Sequence, residues 1–199
     1  MPSQLKRALF GLFIVVCAPA VGSGVDVFGK GSVSKSFISS NNSTQEVSLS
    51  GGVAIGLLSG VRLEARYTNI SALQSELEIV SSSVIGTLNS IKTETSIVSL
   101  GLDIEFLSEK SAFQPFIYVG AGYIQTSRSY YFTQAGSSTS SYYSEPKQSG
   151  ISANGGIGLR LRLAKNLALE LELFAYGVDV QKPNPLINYI GTAGVRIFM

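Results

Sequence analysis

From residue 25 onward, apolar and polar residues alternate with a period of two through most of the chain. In "VRLEARYTN", Val61, Leu63, Ala65 and Tyr67 fall on one side, and Arg62, Glu64 and Arg66 on the other. In "LALELELF", Leu167, Leu169, Leu171 and Leu173 alternate with Ala168, Glu170, Glu172 and Phe174. Successive side chains of a β-strand point to opposite faces, so this period predicts sheet with two unlike sides. Read with the turn residues, it predicts eight strands over roughly 25–38, 46–58, 61–69, 91–106, 114–132, 149–163, 167–180 and 187–199. No segment after the N-terminal stretch carries a helical period.

The connections alternate between short, such as "SG" at 59–60 and "AKN" at 164–166, and longer ones rich in Ser, Asn and Tyr. Consecutive antiparallel strands send alternate connections to opposite ends, so one end is tightly laced and the other carries extended loops. The expected fold is all-β: an eight-stranded antiparallel up-and-down transmembrane β-barrel, with short periplasmic turns and longer extracellular loops.

The alternation also sorts the charges. Arg62, Glu64, Arg66, Asp103, Glu105, Arg160, Arg162, Glu170, Glu172 and Arg196 all share the face opposite the aliphatic residues, and each lies near a short turn or the C-terminus. The remainder of that face reads as small: Ser48, Ser50, Gly52, Ala54, Gly120, Gly122, Ser152 and Asn154. An eight-stranded barrel has an interior just wide enough for side chains to fill. An Arg or Lys facing lipid at the bilayer midplane costs about 2–4 kcal/mol. The charges are therefore expected inside, as an ion-pair plug at the periplasmic end, with the leucines facing lipid. A soluble lipocalin-like ligand-binding barrel would invert the two faces.

Composition favours the membrane reading, because 45% of the 199 residues are hydrophobic and only 14% are charged. At the N-terminus, Lys6 and Arg7 precede an apolar run and Ala18-Pro19-Ala20, which predicts a signal peptide over 1–20 and a barrel domain over 21–199. Export then leaves 13 basic and 13 acidic residues, a balance that offers nucleic acid no electrostatic footprint. The single cysteine, Cys17, leaves with the signal peptide, so neither a disulfide nor a thiolate site is expected. The chain has no histidine, which removes Ser-His-Asp catalysis and His-ligated metals. Glu170 with Glu172 and Asp103 with Glu105 are spaced for acid–base work, but the arginines beside them point to structural pairing. An enzyme is not expected, nor any cofactor.

Three stretches, "PFIYVGAGY" at 115–123, "NLALELELFAYGV" at 166–178 and "AGVRIFM" at 193–199, carry a resemblance to the OmpA-type eight-stranded outer-membrane barrels of Gram-negative bacteria, among them opacity and attachment proteins. With the turn rhythm, the resemblance covers essentially all of 25–199. It implies residence in the bacterial outer membrane, outer-membrane lipid as a partner, and recognition of the C-terminal strand by the barrel-assembly machinery. That family usually ends in an aromatic residue, whereas here Phe198 is penultimate and Met199 last. Tryptophan is absent, so the aromatic girdle must come from Tyr and Phe, with Phe106, Phe113, Phe116 and Tyr189 as candidates.

The expected function is that of a monomeric envelope anchor presenting extracellular loops to a surface ligand or host molecule. The alternative is a narrow channel for ions or small solutes, gated by lumen salt bridges. The loop that stands out is "SYYFTQAGSSTSSYYSE". A hairpin turning near Gly136 sets Tyr131 opposite Tyr142 and brings Tyr130 and Phe132 near Tyr143, a pairing that would stiffen a contact surface.

Overall fold

The computed structural model describes residues 24–39, 42–75, 86–107, 111–134, 139–178 and 186–199. The expected signal peptide lies outside the described residues, as do the tips of several outer loops. The described chain forms nine strand segments: β1 (Val25–Ser39), β2 (Asn42–Leu58), β3 (Val61–Ser75), β4 (Gly86–Glu105), β5 (Phe113–Gln134), β6 (Ser140–Ser144), β7 (Gln148–Ala164), β8 (Leu167–Val178) and β9 (Leu186–Phe198). Each pairs antiparallel with its neighbour, β1 pairs with β9, and β4 pairs with β5, so the sheet closes on itself. β6 and β7 both pair with β5 and are separated only by Glu145-Pro146-Lys147, so together they make one stave of an eight-stranded barrel. Pro146 accounts for the interruption, because it has no N–H to donate to the ladder.

The strands exceed their expected lengths at the loop end. β2 begins at Asn42, within the Ser/Asn stretch expected as loop, and β3 runs to Ser75, past its expected end near 69. The ladder continues through both extensions, Thr44 against Gln74 and Leu73 against Lys92, where the sequence no longer keeps the strict apolar alternation of the membrane part. At the other end, Gly60 takes a φ of 75° in the turn joining β2 to β3, a conformation that glycine adopts without steric cost.

Along β4, Val98, Leu100 and Leu102 are exposed while Ile97, Ser99 and Asp103 are buried. β8 repeats the pattern, with Leu169, Leu171 and Leu173 exposed beside buried Glu170, Glu172 and Phe174. The aliphatic face is the outside of the barrel and the charged face is its lumen, the reverse of a soluble ligand-binding barrel.

On β5 the outward Phe113 and Tyr123 stand ten positions apart along an uncharged stretch, which at ~3.3 Å per residue and a tilt near 40° spans about 25 Å, the height of an outer-membrane apolar band. Phe106 and Tyr189 are likewise exposed, but Phe116 is not a girdle residue: it is only 1% exposed and points into the lumen. Its register explains this, since it stands opposite Glu105 and Gly158 on the inward parity of β5.

Candidate functional site

The lower lumen is filled by ion pairs. Arg196, on β9, reaches Glu170 on β8 at 2.5 Å, Glu64 on β3 at 2.6 Å and Asp103 on β4 at 3.1 Å. Arg160, on β7, binds Asp103, Glu105 and Glu170. Arg66 bonds to Glu64 at 2.7 Å and to Glu172 at 3.0 Å, and Arg62 contacts Glu105. These nine predicted residues are buried, and ion pairs across the lumen tie together strands that are not neighbours in the sheet. The tenth, Arg162, is only half-buried and lies apart from the ladder, its guanidinium 4.3 Å from the centre of the Phe198 ring at the barrel mouth. Arg62 flanks the same ring at 5.5 Å.

Two members escaped the sequence reading. Lys30 lies 2.8 Å from both Glu170 and Glu172, and Asp26 is 2.8 Å from Arg62. Both share the parity of Phe28 on β1 and lie within "VDVFGKGSV", where an aromatic and glycines blur the two faces. Their place toward the closed end, where the other lumen charges sit, was the available clue. Among the described residues the buried ladder holds five cations and six acids, and Arg162 at the mouth supplies the sixth cation. Taking such charges out of water is offset only when each is paired and hydrogen-bonded, which this density of contacts provides.

Aromatic rings are threaded between the ions. Arg160 lies 4.0 Å from the ring centre of Phe116, Arg66 lies 4.2 Å from that of Tyr118, and Arg196 lies 4.7 Å from that of Phe28. Cation–π attraction gains strength where both partners are desolvated. The inner-face glycines are seats for these rings: a Cβ at Gly52 would lie 2.7 Å from the Phe28 ring, and one at Gly158 would lie 2.4 Å from the Phe116 ring. Such glycines let an aromatic side chain lie flat against the sheet.

Above the ions the lumen is not lined only by small residues, as the sequence suggested. Ile70, Ile97, Tyr118, Ile124, Phe174, Tyr176 and Ile190 pack into one buried cluster, and the Tyr118 hydroxyl bonds to Ser99 at 3.1 Å. The small residues make room for these larger ones across an interior too narrow for both sides to be bulky.

Outside the membrane, β5 and β6 continue as a ribbon, with β4 still paired along the other edge of β5. Its register sets Tyr130 against Tyr143, Tyr131 against Tyr142 and Phe132 against Ser141. The Tyr130 and Tyr143 rings stack 5.6 Å apart, and the Tyr131 and Tyr142 rings meet at 5.4 Å and 58°. Because neighbouring residues face opposite ways, one pair lies on each face of the ribbon. Beside it on β4, Lys92 pairs with Glu94 at 2.7 Å, and this bond, helped by Tyr142, holds the ammonium pKa above its ordinary value. Among the described residues no group of His, Cys, Asp or Glu is arranged to hold a metal ion.

No protein-family profile matches the chain, and no curated protein matches it in sequence. Solved structures do overlap it. The N-terminal β-barrel domain of Pseudomonas aeruginosa OprF is 16% identical with a TM-score of 0.48, covering 88% of this chain and 97% of that one. Neisserial surface protein A is 15% identical with a TM-score of 0.48, covering 88% and 96%. Ail of Yersinia pestis, solved with the heparin analogue sucrose octasulfate, is 10% identical with a TM-score of 0.48, covering 89% and 97%. Overlaps of this quality add nothing to what the chain's own register and lipid-facing belt establish: an eight-stranded barrel of the outer-membrane type.

Proposed function

We propose that the protein is a closed, non-catalytic outer-membrane barrel that anchors itself by its aliphatic belt and presents its extracellular ribbon for contact at the cell surface. The observation that carries this reading is the double filling of the lumen, with cross-linked ions below and an apolar and aromatic cluster above. A channel needs a continuous wet path, and fully buried Arg66, Arg160, Arg196 and Tyr118 occupy the room where one would run. The absence of histidine and the pairing of the lumen carboxylates with arginine argue against acid–base chemistry. The barrel works as a monomer and enters the membrane through assembly machinery that engages β9.

Planar-bilayer recording on the refolded protein tests this. The expected result is no step conductance above the bare membrane at either polarity. A steady ion current of defined unit size would turn the reading to a narrow channel.

A further inference from the structure

The outside of the barrel changes chemistry in steps with height. Between Phe113 and Tyr123 it is aliphatic, and no outward charge occurs there among the described residues. The next outward side chains above include Lys92, Glu94 and Lys147, all exposed, and two of these three are cations. Higher still, the outward face of the ribbon carries Tyr131 and Tyr142, 47% and 60% exposed. Tyr131 is eight residues above Tyr123, which at ~3.3 Å per residue and a tilt near 40° places it about 20 Å beyond the upper girdle.

This height is outside the hydrocarbon, so the tyrosine pair is no membrane girdle. The face looks sideways, away from the barrel axis, toward whatever surrounds the protein in the plane of the leaflet. Read upward, the wall offers a seat for acyl chains, then net positive charge, then aromatic faces with hydroxyl edges. A phosphorylated glycolipid presents the complementary series in the same order: acyl chains, phosphate, then sugar rings. Juxtamembrane lysines attract anionic headgroups. Tyrosine rings give an amphipathic surface at low entropic cost, suited to pyranose faces and hydroxyls.

We propose that the outward face of the β5–β6 ribbon, with Tyr131, Tyr142, Lys92 and Lys147, is a docking surface for phosphorylated glycolipid of the outer leaflet around it. The proposal rests on the outer-membrane reading above and names the occupant of one face of the ribbon. The sugars brace the ribbon laterally, leaving the opposite face, with Tyr130 and Tyr143, to other contacts.

The test places the full chain in nanodiscs made with lipopolysaccharide, with lipid A alone, or with phosphatidylglycerol, and follows amide hydrogen exchange across residues 123–147. Lipopolysaccharide is expected to slow exchange in the ribbon beyond either other lipid. Tyr131→Ala with Tyr142→Ala should abolish that difference, whereas Tyr130→Ala with Tyr143→Ala should keep lipopolysaccharide set apart from phosphatidylglycerol. Lys92→Gln and Lys147→Gln should each weaken retention of lipopolysaccharide about fivefold in native mass spectrometry. Equal protection in all three lipids, or equal loss with either tyrosine pair, would overturn the proposal. So would protection by a free sulfated oligosaccharide in phosphatidylglycerol discs, which would assign the face to a soluble glycan. Cold and boiled gel migration of each variant reports whether the barrel is intact. A failed docking surface on an intact, non-conducting barrel leaves the function proposed above standing.

Discussion

Arg196 shows what one residue does here. It is fully buried, touches acids from β3, β4 and β8, and has the Phe28 ring beneath it. Replacing it with methionine keeps most of the volume but takes one cation from four carboxylates, Asp26, Glu64, Asp103 and Glu170, which are left to Arg62, Arg66, Arg160 and Lys30, and breaking a buried ionic cluster on one side typically costs about 3–5 kcal/mol. Arg196→Met should therefore lower the unfolding midpoint in urea strongly, measured by the loss of fast-migrating band on unboiled gels. Arg162→Met, at the mouth and outside the ladder, should change it by less than about 1 kcal/mol. The arginines were legible in the sequence because strict alternation isolates them from leucine. Lys30 and Asp26 were not, because Phe28 shares their face and the neighbouring glycines give no sign of which side is apolar. Phe116 was misread for a related reason. An aromatic near a strand end resembles a girdle residue, and only the register against Glu105 shows that it faces inward.

At the scale of the strand, glycine separates the two faces more sharply than hydrophobicity does. On β9, Gly191 points outward, and a Cβ there would meet nothing within 4 Å. Three residues on, a Cβ at Gly194 would lie 2.0 Å from the Gly29 carbonyl oxygen and 2.5 Å from the Lys30 Cα. Gly194→Ala must push β9 from β1 at the seam that closes the barrel, and overpacking of this kind costs about 1–3 kcal/mol. Gly191→Ala should be neutral or slightly stabilising, and urea titration of the two variants side by side checks the contrast. The sequence supplied the number of staves and the short turns from period and turn residues alone. It missed how far β2, β3 and β4 run above the membrane. There the ladder persists on backbone bonds, while the sequence, with Ile70, Leu73 and Leu88 scattered among Ser, Thr and Gln, keeps no strict period to report it.

For the whole molecule, the governing fact is that the sheet closes with its polar side inward. Depth then sets the penalty for a charge outside. Leu171 is exposed at mid-belt, so Leu171→Arg should destabilise by about 2–4 kcal/mol, while Leu163→Arg, one residue before the last of β7 at the tight end, should cost about 0–1 kcal/mol. Reversible unfolding in lipid vesicles measures both. This arrangement was readable in the sequence, since low charge, period two and clustered ionic residues are jointly satisfied only by an inside-out barrel. The occupants of the upper lumen were not, because Ile70, Ile97 and Ile124 look like any other strand isoleucine until their parity is fixed by the pairing of β3, β4 and β5.

The orientation of the two faces can be tested directly, because the chain's only cysteine lies at position 17 and leaves the described strands free for single labels. Nitroxides on cysteines introduced at Ile157, Leu169, Leu171 and Leu173 would be compared for collision with oxygen, which concentrates in lipid, and with a water-soluble nickel complex. The account predicts high oxygen and low nickel accessibility at all four positions. Labels shielded from oxygen, or reached by nickel as readily as one at Tyr131, would contradict it.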